Sequence, residues 1–319
     1  MKVLSRLPNS EKLKKKLKLS KEAAQSKKQG DEEIAAILRG DCDRLLLIVG
    51  PCSADDPAAV LEYAGRLARV AEAVRQRVCV VLRVFTAKPR STSAGYMGLV
   101  HEADGIRAAR RLHLAVREQT GLSTADELLY LATLPYFDDI VSYYTIGARS
   151  VENQEHRLMA SGLAMPVGMK NPLSGDLQAM ANAVAAAKTP HDFIFNGYHW
   201  LFSGNPLAHG VLRGGNQPNF GDDSLHILHE MGLCAVIVDA NHGNSGKDYA
   251  RQPEIAMQVL ESRRHSDIVR GMVKGLMIES YIVEGAESRG RQAFGQSITD
   301  PCLGFGDTEK LIYEIADKI

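Results

Sequence analysis

The chain has 319 residues, enough for one large domain or two ordinary ones, and 45% of them are hydrophobic. Its 38 basic and 38 acidic residues balance, so no overall charge favours a nucleic acid or a membrane surface as partner. The five cysteines are odd in number and scattered, which argues against a disulfide framework and predicts a cytoplasmic location. Two of them, Cys79 and Cys234, lie in apolar runs and are expected to be core thiols. No apolar run is long enough to span a membrane.

The N-terminal segment is rich in lysine and lacks the apolar block of a secretory signal. Residues 1–40 are therefore predicted to form an extension, an exposed arm or solvated helix that ends with a helix over Glu32–Arg39. Residues 41–319 are predicted to form one large domain.

From Leu45 onward, short apolar runs alternate with amphipathic segments. The predicted strands are Leu45–Val49, Val78–Phe85, Ser123–Glu127, Ile140–Tyr144, Pro166–Met169, Phe193–Phe195, Cys234–Val238 and Val273–Ile278. The predicted helices are Pro57–Arg75, Asp104–Gln119, Leu128–Phe137, Val151–Ser161 with Ser150 as its cap, Leu177–Ala187, Asp223–Met231 and Asp307–Lys318. This α/β alternation favours a (β/α)8 TIM barrel, with a doubly wound open sheet as the alternative.

The stretch Leu82–Ser93 combines an apolar strand with cations and hydroxyls. Arg83 lies inside the strand, and Lys88 and Arg90 follow it on either side of Pro89. Such groups suit a phosphate or carboxylate, because charge-assisted hydrogen bonds are strong. A polar surface loop is the alternative, but a guanidinium buried in so apolar a strand is costly unless an anion meets it.

Cationic residues follow most of the predicted strands. In a barrel the carboxyl ends of the strands surround one opening, the mouth, where functional side chains meet. The cationic residues are Arg83, Lys88, Arg90, Arg149, Lys170 and Arg213. Together they would repel one another unless anionic substrates offset them, and the neighbouring Gly214-Gly215 would let backbone N–H groups approach a ligand. The alternative is a set of unrelated surface cations.

A second set of strand-end residues offers a thiolate, an imidazole and two carboxylates. They are Cys52, His242, Glu279 and Asp300. A mixed sulfur, nitrogen and oxygen site suits Mn²⁺, Fe²⁺, Co²⁺ or Zn²⁺ better than Mg²⁺. Each residue also has an ordinary explanation, since Cys52 could be a core thiol, His242 a loop hydrogen-bonding group and Asp300 a turn former.

These motifs, in order, resemble type I 3-deoxy-D-arabino-heptulosonate 7-phosphate (DAHP) synthase. They are Gly50-Pro51-Cys52-Ser53, Lys88-Pro89-Arg90-Ser91-Thr92, Ile146-Gly147-Ala148-Arg149, Val167-Gly168-Met169-Lys170-Asn171, Leu212-Arg213-Gly214-Gly215, Asp239-Ala240-Asn241-His242, Ile278-Glu279-Ser280 and Ser297-Ile298-Thr299-Asp300. The resemblance implies a barrel that condenses phosphoenolpyruvate with erythrose 4-phosphate, the first step of the shikimate pathway.

The resemblance also implies roles for the two sets. Cys52, His242, Glu279 and Asp300 would hold the divalent metal. Phosphoenolpyruvate would meet Arg83, Lys88, Arg149, Lys170 and Arg213, while Arg90 with Ser91 or Thr92 would hold the aldose phosphate. The catalytic candidates are Lys88, Lys170, Glu127 and His156, the last three as residues that place the attacking water.

Assembly and regulation follow from the resemblance as well. A homodimer or homotetramer is expected, with an aromatic amino acid as effector at a separate site. Ala164 stands where the best-known relatives have a serine, and Phe195 where a smaller residue is expected. Weak or altered feedback is therefore predicted.

Two alternatives remain at this stage. One is 3-deoxy-D-manno-octulosonate 8-phosphate synthase, which usually has Lys-Ala-Asn-Arg where this chain has Lys88-Pro89-Arg90. The other is a non-catalytic ligand-sensing barrel, which would require one of the two residue sets to be broken.

Overall fold

A computed structural model describes residues 2–3, 5–90 and 95–319. Ser91 and Thr92 lie outside the described residues. The helices are α1 (Ser10–Lys16), α2 (Lys21–Arg39), α3 (Pro57–Val74), α4 (Gly105–Thr120), α5 (Gln154–Ser161), α6 (Leu177–Lys188), α7 (Asp222–Glu230), α8 (His242–Ser245), α9 (Gln252–His265), α10 (Asp267–Met272) and α11 (Phe305–Lys318). None of the described helices is both long and apolar enough to cross a membrane.

The strands form one barrel and two small accessory sheets. They are β1 (Leu45–Gly50), β2 (Val78–Arg83), β3 (Ser123–Glu127), β4 (Tyr143–Ile146), β5 (Val167–Lys170), β6 (His191–Phe195), β7 (Tyr198–Phe202), β8 (Ala208–Leu212), β9 (Val236–Asp239), β10 (Val273–Glu279), β11 (Val283–Ala286) and β12 (Gln296–Ser297). In the described chain, parallel pairing closes the barrel in the order β1-β10-β9-β8-β5-β4-β3-β2. The predicted (β/α)8 barrel is therefore confirmed.

Alternation along each strand divides the core into an inner and an outer layer. In β1, Leu45, Leu47 and Val49 face the surrounding helices, whereas Leu46 and Ile48 belong to the cluster inside the barrel. Ile34 and Ile37 of α2 join that inner cluster. The apolar face of α2 therefore packs against the amino-terminal end of the barrel and leaves the carboxyl-terminal end open for a site.

The sixth strand of the barrel differs from the prediction. Phe193–Phe195 belongs to β6, which pairs antiparallel with β7 in a hairpin outside the barrel. The barrel position between β5 and β9 is taken by β8 instead. The hairpin sequence is more apolar than that of β8, yet Ile194 and Leu201 are exposed. β8 contains His209 and Gly210 and is nevertheless wholly buried. Burial of β8 depends on its neighbours in the barrel, which local sequence does not reveal.

Three local predictions are also corrected. Ser150 does not cap α5, because the helix begins later and Asn153 accepts from the His156 backbone N–H. Leu128–Phe137 contains only a 3₁₀ turn, Leu131–Tyr136, since Pro135 prevents an ordinary helix. Cys234 is exposed and not a core thiol, whereas Cys79 is buried as predicted.

Candidate active site

At the open end of the barrel, several strands end in a polar residue. Arg83, Glu127, Lys170, Asp239 and Glu279 are the last residues of β2, β3, β5, β9 and β10. Parallel strands bring their carboxyl ends to one face, so residues far apart in sequence meet in one mouth.

Three of the four predicted metal ligands converge there. The ligand atoms of Cys52, Glu279 and Asp300 all lie within 4.8 Å of one another. His242 is outside that group, but its Nε2 lies 3.8 Å from Oε1 of Glu279. Cys52 and Asp300 lie in the loops after β1 and β12. Glu279 ends β10, and His242 begins α8.

The position of the Lys88 ammonium group shows that this cluster can accommodate a positive charge. Its Nζ lies 2.5 Å from the Sγ of Cys52 and 3.4 Å from Oδ2 of Asp300. An ammonium group thus stands against two of the three converging donors. A pocket of soft and hard donors that already attracts one positive charge fits a divalent transition metal.

The surroundings tune the ionisation of these donors. Burial, with the negative charge of Glu279, raises the pKa of Cys52 to about 12 despite Lys88. Burial also opposes ionisation of Glu279, but His242, Arg83 and Lys88 outweigh it and lower its pKa. Lys88 and His242 likewise lower the pKa of Asp300 against burial. The carboxylates are therefore ionised, whereas the thiol needs a cation to release its proton.

Arg83 has the anionic partner that its burial requires. Its Nη2 donates to Oε1 of Glu279 over 2.8 Å, and both side chains are 1% exposed. Its Nε donates to the Pro51 carbonyl, and its guanidinium lies 4.1 Å from the centre of the Phe85 ring. The second carboxylate oxygen of Glu279 accepts from Asn241 Nδ2 over 2.6 Å. Glu279 is thereby fixed in one orientation.

Asp239 is a site residue that sequence reasoning did not select. Its Oδ2 accepts from Lys170 Nζ over 3.0 Å and lies 2.9 Å from Nδ1 of His242. Burial would raise the pKa of Asp239, but His242 and Lys170 hold it well below its usual range. Asp239 ends a strand and precedes His242 by three residues, which was the available signal.

Glu127 lies among the cations and depends on a glycine for its position. Burial raises the pKa of Glu127, although Lys170, Lys88 and Arg83 act against the rise. A Cβ on Gly147 would lie 2.1 Å from Oε1 of Glu127, so a side chain there would displace the carboxylate from its observed position. A carboxyl group with a raised pKa in a polar mouth is suited to carry a proton.

Arg213 lies in the same mouth, and its backbone is held by a side-chain network. Its N–H donates to Oδ1 of Asn171 over 2.8 Å. Burial lowers the pKa of Arg213, which Arg149 lowers further. Arg149 is exposed. These two cations of the predicted phosphoenolpyruvate set are therefore near one another.

The predicted role of Gly214 and Gly215 is wrong. The Gly214 N–H donates to Oδ1 of Asn219 and the Gly215 N–H to the Gln217 carbonyl, so neither faces a ligand. A Cβ on Gly214 would lie 2.3 Å from the Asn244 nitrogen. These glycines allow two loops to pack closely.

The remaining predicted residues lie at the edge of the mouth or away from its charged centre. Arg90 is half-buried and its Nε donates to the Tyr96 carbonyl over 2.8 Å. The ring of His156 contacts the Leu129 carbonyl at 3.0 Å and Oδ1 of Asn153 at 3.2 Å. These contacts anchor the first turn of α5, and none of the described hydrogen bonds of His156 reaches the charged centre.

Comparison with known proteins identifies the family. The sequence profile described as the DAHP synthetase I family matches residues 17–312. The chain belongs to the DAHP synthetase I family. It is 38% identical to the Trp-sensitive phospho-2-dehydro-3-deoxyheptonate aldolase of Escherichia coli (strain K12) in an alignment covering 90% of this chain and 87% of that protein. It is 36% identical to the Phe-sensitive enzyme of the same strain, over 95% of this chain and 92% of the relative.

A solved member of the family has the same fold. The structure of phospho-2-dehydro-3-deoxyheptonate aldolase from Francisella tularensis SCHU S4 matches with a TM-score of 0.93 and 33% identity, covering all of this chain and 98% of the other. Membership of the DAHP synthetase I family confirms the resemblance and the predicted activity. The chain is a transferase of the aldol type that condenses phosphoenolpyruvate with erythrose 4-phosphate in the shikimate pathway.

Proposed function

We propose that the polar mouth of the barrel carries out this condensation with the residues predicted from sequence. The observation that supports the proposal is the joint presence of Arg83, Lys88, Lys170 and Glu279 around one opening, with the Cys52 thiol and Asp300 beside them. Cations to hold two anionic substrates and donors to hold a metal thus share one cavity.

The metal centre would comprise Cys52, His242, Glu279 and Asp300, holding Mn²⁺, Fe²⁺, Co²⁺ or Zn²⁺. When bound, the ion supplies Lewis acidity toward the aldehyde oxygen of erythrose 4-phosphate. Nε2 of His242 lies 3.8 Å from Oε1 of Glu279, a separation that two ligands of one ion can have. Asp239 beside the opposite ring nitrogen would orient the imidazole.

The cations would align the two substrates. Arg149, Lys170 and Arg213, with Arg83 and Lys88, would hold the phosphate and carboxylate of phosphoenolpyruvate, while Arg90 at the rim would hold the aldose phosphate. Fixing both anions places C3 of phosphoenolpyruvate against the aldehyde carbon. The two bound substrates then react in a step that is effectively unimolecular, which lowers the entropic part of the barrier.

A water molecule must add to C2 before phosphate leaves. Glu127 and Lys170 would position it and exchange its proton, because burial raises the pKa of Glu127 and so favours a carboxyl group that can hold a proton. His156 is less suited, since its ring nitrogens contact Leu129 and Asn153.

Phosphate release is the test of this function. Purified protein with Mn²⁺ is expected to release phosphate from phosphoenolpyruvate only when an aldose phosphate is present. Erythrose 4-phosphate should react far faster than arabinose 5-phosphate. Equal rates, or a preference for the pentose, would show that the substrate assignment is wrong and would favour the octulosonate synthase.

A second site is proposed for an aromatic amino acid effector. A cavity of about 940 Å³ brings Ala164 and Phe195 together, the two residues that predicted altered feedback. Aromatic rings of the β6–β7 hairpin, Trp200 and Phe202, line it with Asp138. Asp138 pairs with Lys14 in this cavity, so the lining offers one charge for the ammonium group and one for the carboxylate of an aromatic amino acid.

We further propose a homodimer or homotetramer in the cytoplasm. Large apolar side chains remain exposed on the β6–β7 hairpin, including Ile194 at 77% and Leu201 at 84% exposure, and a partner subunit would cover them. All five cysteines are free thiols, consistent with a reducing compartment.

A further inference from the structure

A cavity of about 500 Å³ opens at the end of the barrel opposite the active site. Its walls are the loop between α2 and β1, the helices α9 and α10, the first residues of β10 and the end of α11. None of the proposed site residues that the structure describes lines it, so it is a separate feature of the fold.

Basic side chains dominate the lining of this cavity. They are Arg44, Arg263, Arg264, Arg270, Lys274 and Lys318. Three of them already have carboxylate partners, since Arg44 pairs with Glu33, Arg264 with Glu261 and Arg270 with Asp267. Within the described parts of the chain, the other three form no salt bridge: Arg263, Lys274 and Lys318.

Among these three cations, Arg263 has a buried hydrogen-bond donor that is not satisfied. Its Nε is buried and has no hydrogen-bond partner among the described residues. Burial lowers the pKa of Arg263, and the neighbouring Arg270 lowers it further, with Asp43 alone acting in the opposite direction. A buried guanidinium N–H that is left unpaired costs free energy, which the Arg263 side chain would recover by turning this N–H toward an anion in the cavity.

Lys274 adds a second charge beside Arg263. It lies at the irregularity in pairing between Val273 and Gly275 at the start of β10. Its Nζ lies over Gly40, 3.1 Å from where a Cβ would be, so the absence of a side chain there leaves room for the ammonium group. Burial and the charge of Arg263 both lower the pKa of Lys274. The two cations repel each other across the cavity.

We propose that this basal cavity binds the phosphate group of a small phosphorylated molecule, with Arg263 and Lys274 as its principal contacts. Among the described lining residues, Asp43 is the one acidic residue without a salt bridge, and it faces Arg263, Lys274 and Lys318. A dianion therefore balances these side chains better than a monoanion. The planar guanidinium matches phosphate oxygens, and the volume exceeds that of a phosphate ion alone, which leaves space for an attached organic group or a second phosphate.

Calorimetric titration with pyrophosphate tests the basal cavity. The wild-type protein and an Arg213→Ala variant, whose active-site mouth is weakened, should both retain one binding event per chain at the basal cavity. Arg263→Gln should raise the Kd of that event at least tenfold, and Lys274→Gln should have the same effect if the first variant folds poorly. Inorganic phosphate should bind the same site more weakly.

The matched control is Arg69→Gln, which removes the same charge from an exposed position on α3. It should bind pyrophosphate as the wild type does. The proposal is overturned if no binding event survives Arg213→Ala, or if Arg263→Gln and Lys274→Gln both bind as tightly as Arg69→Gln. This outcome does not depend on the condensation activity, which is measured separately.

Discussion

At the scale of single residues, Glu279 joins two groups that the sequence suggested separately. Its carboxylate pairs with Arg83 at 2.8 Å, accepts from Asn241 at 2.6 Å and belongs to the cluster with Cys52 and Asp300. The cation set and the metal set therefore share one anion. Loss of this carboxylate would leave the Arg83 guanidinium buried without its ion partner, which is strongly destabilising.

Substitution of Cys52 tests the metal centre. Cys52→Ser should lose most metal affinity, at least about tenfold, because an alcohol stays protonated at neutral pH and is a poor ligand. The measurement is metal content after dialysis, expected near one ion per chain for the wild type, together with the rate of phosphate release.

Cys302→Ser is the matched control for that experiment. Cys302 is also buried, but its Sγ contacts the Asp300 carbonyl at 3.6 Å and it is not part of the converging donor group. The variant should keep its metal and its activity. If Cys52→Ser kept both as well, cysteine would be removed from the coordination sphere.

Two arginines should separate the two substrates. Arg90→Ala is expected to raise mainly the KM for erythrose 4-phosphate, and Arg213→Ala mainly that for phosphoenolpyruvate. Loss of one charge-assisted contact costs about 1.5–3 kcal/mol, which corresponds to roughly 10- to 150-fold in affinity. Steady-state kinetics with each substrate varied in turn measures the split. An unchanged aldose KM in Arg90→Ala would show that the two phosphates are placed wrongly.

At the scale of elements, a side-chain contact joins β4 and β8, the two strands that pair with β5. It lies inside the barrel near its amino-terminal end. Nε2 of His209 on β8 contacts the hydroxyl of Tyr143 on β4 at 2.7 Å, and Nδ1 contacts the Leu207 carbonyl at 2.8 Å. A Cβ on Gly168 of β5 would lie 2.3 Å from that hydroxyl. With Nδ1 donating to the carbonyl, the neutral imidazole satisfies both contacts, and burial lowers the pKa of His209 to about 4.

This histidine should make stability depend on pH. The unfolded imidazole binds a proton near pH 6.5, whereas the folded one stays neutral until about pH 4. Protons therefore favour the unfolded state in this window, and the His209 contribution to stability falls as the pH drops from 6.5 towards 4. The free energy of unfolding in urea at pH 7 and pH 5 measures the fall.

His209→Gln isolates this effect, because glutamine does not titrate. The variant is expected to be less stable at pH 7, by about 1–3 kcal/mol, through loss of the buried contacts. Its stability should decline less than that of the wild type between pH 7 and pH 5. Equal declines in the two proteins would mean that other groups carry the pH dependence.

At the scale of the whole molecule, the cavity proposed for an effector is assembled from distant parts of the chain. The segment around Pro8 and Lys14, the turn after α5 with Ala164, and the β6–β7 hairpin with Phe195 all line it. Tyr136 donates to the Pro8 carbonyl over 2.8 Å and thereby ties the N-terminal segment to the barrel. A ligand in this cavity would contact elements that belong to the extension and to the barrel at once.

Titration with phenylalanine, tyrosine and tryptophan tests this cavity. Inhibition is expected to be weak or altered, because Ala164 offers no hydroxyl to the ligand and Phe195 adds bulk. Ala164→Ser should strengthen phenylalanine inhibition about fivefold, the value of one hydrogen bond of about 1 kcal/mol. Ala185→Ser, exposed on α6, is the control and should change nothing. Strong phenylalanine inhibition of the wild type at low micromolar concentration would contradict the prediction.

The sequence by itself determined the barrel, because strands and helices follow local patterns, and it predicted which residues would gather at the carboxyl ends of the strands. The strand of Ser123–Glu127 was predicted with its observed bounds, and α4 and α11 within two residues at each end. The cations and metal-competent residues were proposed from their positions after the strands, because parallel strands end at the same face of a barrel whatever the details of packing.

Only the tertiary structure decided which segments pair and which donors meet. The apolar hairpin Phe193–Phe202 lies outside the barrel while β8, interrupted by His209 and Gly210, lies inside it, because strand burial depends on neighbours distant in sequence. The contacts of Asp239 with Lys170 and His242 are of the same kind. Side-chain partners across a barrel are set by strand order and register, which no local pattern encodes.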